Sequence, residues 1–242
     1  GDKQLLHFIR SEFSEIKTLP LKGMVIKYGE KANWPLFFIF KLPKLLICIL
    51  KEHRTIKKVV KKYNVDIVIS DNRFGIFGSS AYSVYITHQL NIKLPAITSI
   101  FERWTNRIHR FFIKKFDECW VPDFESGLTL AGELSHPPKS LPNTTYIGPL
   151  SRFVDYPNQQ TPAKQYDIAI ILSGPEPQRG ILENILISQL KTANYKAVII
   201  QGKPEYKQNS ALSDKLQTIS VMNTSQLYET ILQSEVVMCR SG

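Results

Sequence analysis

Short apolar runs that alternate with helical patterns constrain the fold of this chain more than any other feature. Several runs are apolar at consecutive positions, which is typical of strands buried on both faces of a parallel sheet. The predicted strands are residues 65–70, 82–87, 118–123, 144–150, 166–173, 195–202 and 235–239. Strand–helix–strand alternation predicts an α/β fold with right-handed crossovers.

Two amphipathic helices are expected in the second half of the chain, over residues 178–191 and 225–234. The spacing of apolar residues in the first helix predicts a buried side made of Leu182, Ile185, Leu186 and Leu190. In the second helix we expect Ser225 as the N-cap, with Leu227, Ile231 and Leu232 on the apolar side.

A polar segment with two prolines, residues 151–164, separates two series of strands and helices. Such composition is typical of an inter-domain linker. We therefore predict an N-terminal domain over residues 1–150, a linker over 151–164 and a C-terminal domain over 165–242. The total of 242 residues is enough for two small domains, each with its own core.

The positive charge is concentrated in the first half. The formal net charge is +10, and residues 1–150 hold 22 Lys and Arg against 13 Asp and Glu. This asymmetry predicts a polyanionic partner for the N-terminal domain, such as an anionic membrane surface or a phosphorylated substrate. Nucleic acid is not expected, because the basic stretches lack interleaved aromatic residues and any recognised motif.

Three scattered cysteines, Cys48, Cys119 and Cys239, form no C-x-x-C pair. The five histidines form no H-x-x-x-H motif. We therefore expect a reducing compartment and no metal site.

Residues 34–50 form an apolar run that Lys41, Pro43 and Lys44 interrupt, and six basic residues follow it between Lys51 and Lys62. The run is too short and too charged for a spanning helix. Two interpretations stay open: a helix lying in a membrane interface, with residues 36–40 inserted, or a core helix with a solvated basic continuation.

Polar residues follow several predicted strands and form three candidate clusters. Asp71, Asn72 and Arg73 follow one strand of the first domain, and His88 and Gln89 follow the next. The carboxyl edge of a parallel sheet is where open α/β folds bind ligands. No Ser-His-Asp order, paired-carboxylate motif or metal spacing can be found in these segments.

The other two clusters lie in the second domain. In "ILSGPEPQRGILE" a strand ends at Ser173, Gly174 permits a tight turn, and a helix begins near Gln178 with Arg179 beside its free N–H groups. These groups suit a phosphate, although Glu176 opposes an anion and an ordinary strand-to-helix turn is the alternative. The turn "CRSG" would add Arg240, Ser241 and Gly242 to form a two-sided diphosphate cradle.

Five motifs together carry a family resemblance over residues 60–242: "THQL" (87–90), "WTNRI" (104–108), "IGPLSRF" (147–153), "LSGPEPQRG" (172–180) and "CRSG" (239–242). In this order they resemble GT-B-fold glycosyltransferases of family 28, in particular a poorly characterised bacterial branch. The family includes the enzyme that adds N-acetylglucosamine to lipid I in peptidoglycan synthesis.

The resemblance implies an α/β fold with a GT-B-like pair of Rossmann-type parallel-sheet domains, both incomplete in this chain. The expected missing parts are the first strand, with its glycine-rich, histidine-containing loop, and the elements after "CRSG". It also implies transfer of a sugar from a nucleotide-sugar, with UDP as the leaving group, to a hydroxyl acceptor that is lipid-linked at the membrane surface. A cytoplasmic protein, peripheral at the inner face of the membrane and without a cofactor, is then expected.

The resemblance also implies roles for the candidate residues. Donor binding falls to Arg152 at the hinge and to Ser173, Gly174, Gln178, Arg179, Arg240, Ser241 and Gly242. The acceptor side receives Asp71, Asn72, Arg73 and Gln89. His88 is the catalytic candidate among these residues, with the main base expected in the missing N-terminal loop.

Two alternatives compete with this interpretation. A GT-B-fold UDP-sugar epimerase shares the architecture, but it needs acid/base groups in the cleft and no separate acceptor. A non-enzymatic basic module that docks on membranes or nucleic acid would leave the carboxyl-edge loops without a ligand.

Overall fold

The computed structural model describes residues 6, 9–10, 12–21, 34–78, 80–94, 96–139, 141–154, 156, 162–174, 176–203 and 209–239, without the side chains of 34–42 and 97–98. The chain divides into two compact units. We call residues 34–150 the N-terminal unit, and residues 151–239 together with the described part of 6–21 the C-terminal unit. Candidate residues Arg240, Ser241 and Gly242 lie outside the described residues.

The N-terminal unit contains a sheet of four parallel strands in the order β1-β2-β3-β4. Its elements are α1 (Trp34–Tyr63), β1 (Ile67–Asp71), β2 (Tyr82–Ile86), a 3₁₀ turn (Ala96–Phe101), α2 (Glu102–Ile113), β3 (Glu118–Val121), a second 3₁₀ turn (Gly132–Leu134) and β4 (Thr144–Tyr146). The buried core joins the sheet to the end of α2 through Tyr85, Leu90, Ile113, Phe116, Cys119, Val121 and Leu141.

The C-terminal unit contains a five-stranded sheet in the order β7-β8-β6-β5-β9, parallel except between β7 and β8. Its elements are β5 (Tyr166–Ile171), α3 (Gln178–Thr192), β6 (Ala197–Ile200), β7 (Ser210–Ala211), β8 (Leu216–Ile219), α4 (Thr224–Leu232) and β9 (Ser234–Cys239). Ile170 and Ile199 pack with Leu186 of α3, whereas Ala169 and Val198 belong to a second apolar cluster with Met222. Both faces of the central strands are therefore covered, as their consecutive apolar residues predict.

The expected α/β fold with parallel sheets is confirmed, but local details differ. Strands β7 and β8 were not predicted, because Leu216–Ile219 alternates apolar and polar residues and lacks the uninterrupted apolar run of the central strands. Helix α4 begins one residue before Ser225, and Asn223 is its N-cap. The Asn223 side chain accepts a hydrogen bond from Gln226 N, and the Gln226 side chain accepts one from Asn223 N, which makes a capping box.

The N-terminal segment packs with the C-terminal unit, whereas the predicted domains placed it with residues 29–150. The Glu12 carboxylate accepts hydrogen bonds from Thr224 N and from Thr224 Oγ1, both at 3.1 Å. A carboxylate at the first turn of α4 is favourable because the free N–H groups there carry partial positive charge.

Helix α1 is continuous through Pro43 and has a buried and an exposed side. Ile49, Glu52 and Val60 are buried, whereas Leu46, Ile47 and Leu50 are exposed. The six basic residues between Lys51 and Lys62 are all exposed. Core packing therefore holds for one side of the helix, and contact of the other side with a membrane stays a prediction. The side chains of residues 36–40 lie outside the described residues.

Within the described part of the chain, we find no helix with the length and apolar character needed to cross a membrane.

Candidate functional site

The C-terminal sheet has a topological switch point beside β5. From β5 the chain passes through α3 to β6 on one side, and it later returns to the other side of β5 as β9. The register pairs Ile171 at the end of β5 with Cys239 at the end of β9. In open α/β sheets the ligand crevice lies at the carboxyl edge beside such a switch point.

Two of the predicted donor residues lie at this crevice. Ser173 and Gly174 follow β5 directly, and both are exposed. Gly174 has φ +101°, a left-handed conformation that only glycine adopts without strain. The turn thus presents backbone and a hydroxyl to the crevice, with little side-chain bulk.

Helix α3 begins at Gln178, as predicted, but only two of its four predicted apolar residues pack into the core. Leu186 is buried and Leu190 packs against the same core cluster, whereas Leu182 and Ile185 are exposed. Glu183 occupies the buried position one turn before Leu186, and Arg179 occupies the buried position two turns before it. A buried ion pair therefore replaces the two leucine-type contacts that the apolar spacing predicts.

The Arg179 guanidinium is 5% exposed and is bonded to protein acceptors. Its Nη1 donates to Glu183 Oε2 at 2.9 Å and to the carbonyl of Gln201 at 3.2 Å, and its Nη2 donates to Glu176. Lys203 lies 3.0 Å from the same Glu183 carboxylate. Arg179 is thus bonded to the carboxylates of Glu176 and Glu183. The predicted contact of Arg179 with a phosphate would require these bonds to break.

Burial alone would raise the pKa of Glu183, but hydrogen bonds from Lys203, Gln201 and Arg179 outweigh it and lower that pKa. Glu183 therefore stays ionised inside the unit. The sequence carries a signal for this network that the analysis missed, since Glu176, Arg179 and Glu183 have the i,i+3 and i,i+4 spacing of helical ion pairs.

The N-terminus of α3 already holds a carboxylate. Glu176 Oε2 accepts a hydrogen bond from Gly180 N at 3.1 Å, and a Cβ at Gly180 would lie 3.0 Å from that oxygen. The Glu176 side chain is 60% exposed, and its pKa is lowered mainly by the hydrogen bond from Arg179. An anion at this helix start would have to take the place of Glu176.

The remaining donor candidates do not belong to the ion-pair network of Arg179. Gln178 is half-buried in the first turn of α3, and its Oε1 is buried without a hydrogen-bond partner among the described atoms. Arg152 is exposed, with its guanidinium 5.6 Å from the centre of the Phe153 ring. Donor binding by these residues stays a prediction, as it does for Arg240, Ser241 and Gly242.

The candidate residues of the N-terminal unit follow two neighbouring strands and lie at one sheet edge. Strands β1 and β2 pair in register from Ile67 with Tyr82 to Asp71 with Ile86. Asn72, which has φ +52°, donates its backbone N–H to the Ile86 carbonyl at 3.2 Å. His88 is exposed two residues beyond this contact. Asp71, Asn72 and His88 are therefore neighbours at the carboxyl edge, and a catalytic role for His88 stays a prediction.

Arg73 and Gln89 have structural contacts instead. Arg73 Nη2 donates to Glu52 Oε1 of α1 at 2.5 Å, and Ser70 Oγ donates to the Arg73 carbonyl at 2.7 Å. Gly75 permits this packing, since a Cβ there would lie 2.8 Å from the Ile49 carbonyl. The Gln89 carbonyl lies 2.7 Å from Nε2 of His109. For Arg73 to contact an acceptor, its guanidinium would have to do so while paired with Glu52 or after leaving it.

Buried His109 has its pKa lowered by burial, which favours the neutral ring whose Nε2–H donates to Gln89. Its position under the Gln89 carbonyl holds the segment that follows β2. His109 therefore supports the candidate edge and does not face a ligand itself.

Asp123, which the sequence analysis did not single out, organises the segment after β3. Its fully buried carboxylate accepts hydrogen bonds from Phe124 N, Leu130 N, Ala131 N and Ser135 Oγ at 2.6–3.0 Å. Burial would raise the pKa of Asp123, but these four donors hold it well below its usual range. Three donors are backbone groups up to eight residues away and the fourth is the Ser135 hydroxyl, twelve residues away, which no local motif reveals.

The described residues contain no group of three or more His, Cys, Asp or Glu side chains that could hold a metal ion.

Comparison with known proteins finds fold relatives only. No protein-family model matches the sequence, and a search of curated proteins gives no match either. Among solved structures, a complex of S. aureus MnaA with UDP has a TM-score of 0.54 and 11% identity over 100% of this chain. A structure from Listeria monocytogenes described as a UDP-N-acetylglucosamine 2-epimerase has a TM-score of 0.47 and 14% identity over 82% of this chain. The chain spans 65% and 57% of their lengths, respectively.

The likeness to the MnaA structure confirms the expected GT-B-like, Rossmann-type fold. It does not carry the more specific resemblance to glycosyltransferase family 28. The predicted glycosyltransferase activity is wrong by this comparison.

Proposed function

We propose that the C-terminal unit binds the nucleotide of a UDP-sugar in the crevice at the carboxyl ends of β5 and β9, and that the protein is a UDP-sugar epimerase. The switch point beside β5, with the exposed Ser173–Gly174 turn at its edge, carries this proposal. The UDP bound to S. aureus MnaA, a protein of the same fold, supports the choice of nucleotide. The UDP-sugar is the substrate, and no further cofactor is part of the proposal.

The turn supplies the contacts that a diphosphate needs. The Gly174 backbone N–H and the Ser173 hydroxyl can donate hydrogen bonds to phosphate oxygens that approach the exposed turn, whereas the prolines at positions 175 and 177 have no N–H to donate. Gln178, in the first turn of α3, adds a side-chain amide whose NH₂ group can donate to a phosphate oxygen. These neutral donors bind the diphosphate in this proposal, while Arg179 holds the start of α3 in place through its carboxylate partners.

Glu176 contributes a negative charge at the edge of the crevice. Because Arg179 lowers its pKa, this carboxylate is ionised at neutral pH and is a weak base. It therefore suits a hydrogen bond from a sugar hydroxyl better than removal of a carbon-bound proton. An epimerase must remove and return such a proton, so we expect the acid/base pair among other residues of the whole protein.

Binding of UDP to the purified chain tests the nucleotide site, measured by titration calorimetry. Gly174→Ala places a Cβ at a left-handed φ and distorts the turn, so we expect at least about a tenfold loss of affinity. Gly127→Ala is the matched control, because Gly127 of the N-terminal unit also has a positive φ, +83°. A Cβ added at Gly127 would have no neighbouring atom within 4 Å. Undetectable UDP binding, or equal affinity in the two variants, would refute the proposed site.

The epimerase assignment has a separate test. With UDP-N-acetylglucosamine in deuterated water, an epimerase that exchanges a carbon-bound proton with solvent produces a deuterated epimer visible by NMR. Release of free UDP only when an alcohol acceptor is added, with no deuterated epimer, would contradict the assignment.

A further inference from the structure

A groove of about 610 Å³ runs along α2 in the N-terminal unit. Its walls come from α2, from residues 91–93 after β2 and from residues 138–139 ahead of β4. Among its described lining residues one is acidic, Glu102, and six are basic. The basic residues are Lys93, Arg103, Arg107, Arg110, Lys114 and Lys139. We call this feature the basic groove.

The cations of the basic groove are concentrated and largely uncompensated. Lys93 lies 3.7 Å from Glu102 and 2.9 Å from Glu133, so its charge is balanced. Within the described structure, the other five form no ion pair. Four of the five follow the helical spacing that places them on one side of α2, at positions 103, 107, 110 and 114.

Such an arrangement costs stability. Each like-charge pair at this spacing destabilises a helix by about 0.2–0.5 kcal/mol. Arg110 adds to this cost, since its Nε is buried and has no hydrogen-bond partner among the described atoms. The cations therefore do not stabilise α2, and a bound anion would both neutralise their charge and accept their hydrogen bonds.

The walls of the basic groove are held in place before any ligand arrives. Asn106 of α2 accepts a hydrogen bond from Ile92 N at 2.7 Å and donates one to the Ile92 carbonyl at 2.9 Å. Glu102 Oε2 accepts another from Leu94 N at 3.3 Å. Because the segment after β2 is fixed to α2, little ordering entropy is lost when a ligand binds.

We propose that the basic groove binds a diphosphate group. Planar guanidinium groups pair with phosphate oxygens two at a time, and several adjacent arginines suit a ligand with more than one negative charge. The groove volume falls within the range of about 300–1,000 Å³ that is usual for small-molecule sites. The exposed ring of Phe111, also in the lining, offers an apolar surface for the organic part of the ligand.

This site is additional to the proposed UDP-sugar site. All of its lining residues belong to the N-terminal unit, whereas the Ser173–Gly174 turn belongs to the C-terminal unit. The same chemistry can come from a soluble diphosphate or from the headgroup of a lipid diphosphate, and the experiment distinguishes these two sources.

The test compares two double variants that lose equal charge. Arg103→Gln with Arg107→Gln changes the basic groove, and Lys191→Gln with Lys196→Gln removes two exposed cations of the C-terminal unit. Titration calorimetry with inorganic pyrophosphate measures the soluble arm, with Gly174→Ala added to both variants so that the nucleotide site is weakened equally. Co-sedimentation with phosphatidylcholine vesicles, with and without diacylglycerol pyrophosphate, measures the lipid arm. Circular dichroism confirms that both variants are folded.

We expect the groove variant to lose about 100-fold in affinity, roughly tenfold for each arginine, and the control variant to change less than about threefold. Loss in the soluble arm identifies a soluble diphosphate, and loss in the vesicle arm alone identifies a lipid headgroup. Equal losses in both variants, or no binding in either arm, would overturn the proposal.

Discussion

Arginines of the two units have opposite environments. In the C-terminal unit Arg179 is buried and is bonded to Glu176 and Glu183. In the N-terminal unit Arg103, Arg107 and Arg110 line an open groove without an acidic partner among the described residues. A buried cation that lacks its partner is very costly, whereas an exposed one costs little and remains available for a ligand. The difference teaches that an arginine beside a strand end is not by itself a sign of an anion site.

The largest effect that this comparison predicts is at Arg179. Arg179→Ala leaves Glu183 buried with less compensation, so we expect the free energy of unfolding to fall by about 3–5 kcal/mol. Arg103→Ala, the matched control in the basic groove, should change it by less than about 0.5 kcal/mol. Urea denaturation followed by circular dichroism measures both, and similar values for the two variants would break the comparison.

Asp123 extends the comparison to a buried charge that only neutral donors compensate. Asp123→Asn removes the charge and turns an amide group towards N–H and O–H donors, which should cost about 1.5–3 kcal/mol at pH 7. Asp214→Asn, at an exposed position, is the control.

This effect has a defined pH dependence. The folded pKa of Asp123 lies below the value of about 3.9 for a free aspartate, so the unfolded chain binds the proton first as the pH falls. The stabilisation is therefore complete above about pH 5, and it is lost progressively below about pH 4. Denaturation at pH 7 and pH 3 should show the difference between wild type and Asp123→Asn shrinking at the lower pH. A difference independent of pH would mean that the carboxylate is not the source.

Arg73 is an intermediate case, because its side chain is partly exposed while its partner Glu52 is buried. Arg73→Gln should lower the free energy of unfolding by about 1–2 kcal/mol, less than Arg179→Ala, since water can partly solvate the remaining carboxylate. Arg54→Gln, an exposed position on the same helix as Glu52, serves as the reference. A loss as large as that of Arg179→Ala would show that exposure does not control these costs.

The smallest predicted effect has the opposite sign. Arg107→Glu replaces a like-charge neighbour of Arg103 and Arg110 with an attractive one, so we expect α2 to be stabilised by about 0.3–1 kcal/mol. The gain should shrink in 1 M salt, because exposed charges are screened there. Thermal denaturation at low and high salt measures it, and a loss of stability at low salt would show that Arg107 has an acidic partner.

The sequence predicts most strands and turn positions of this fold because these are local properties. Uninterrupted apolar runs identify β5, β6 and β9, and the residues after each run necessarily lie at the sheet edge. Strand β8 was not predicted because Gln217 and Thr218 interrupt its apolar run. Burial of Leu182 and Ile185 was wrongly predicted because Arg179 and Glu183 take buried positions of α3 and neutralise each other there, which apolar spacing does not show.

The availability of the candidate side chains could not be predicted in the same way. Arg73 is bonded to Glu52, 21 residues earlier. The four donors to Asp123 come from residues 124–135, a loop that folds back onto its carboxylate. The basic groove joins α2 to residues on both sides of it in the chain. These partnerships depend on tertiary contacts, so the sequence identifies positions but not which charges remain free.

The three cysteines make this protein suitable for site-specific labelling. Cys119 is fully buried, and burial raises the pKa of its thiol to about 12, so it scarcely forms the reactive thiolate near neutral pH. Cys48 is half-buried on α1, with its sulfur 3.8 Å from Glu52 Oε1. Cys239 is exposed at the end of β9 and in register with Ile171 of β5. A maleimide fluorophore should therefore react first at Cys239, at the carboxyl edge of the sheet, where its emission would test the proposed nucleotide site without any engineered residue.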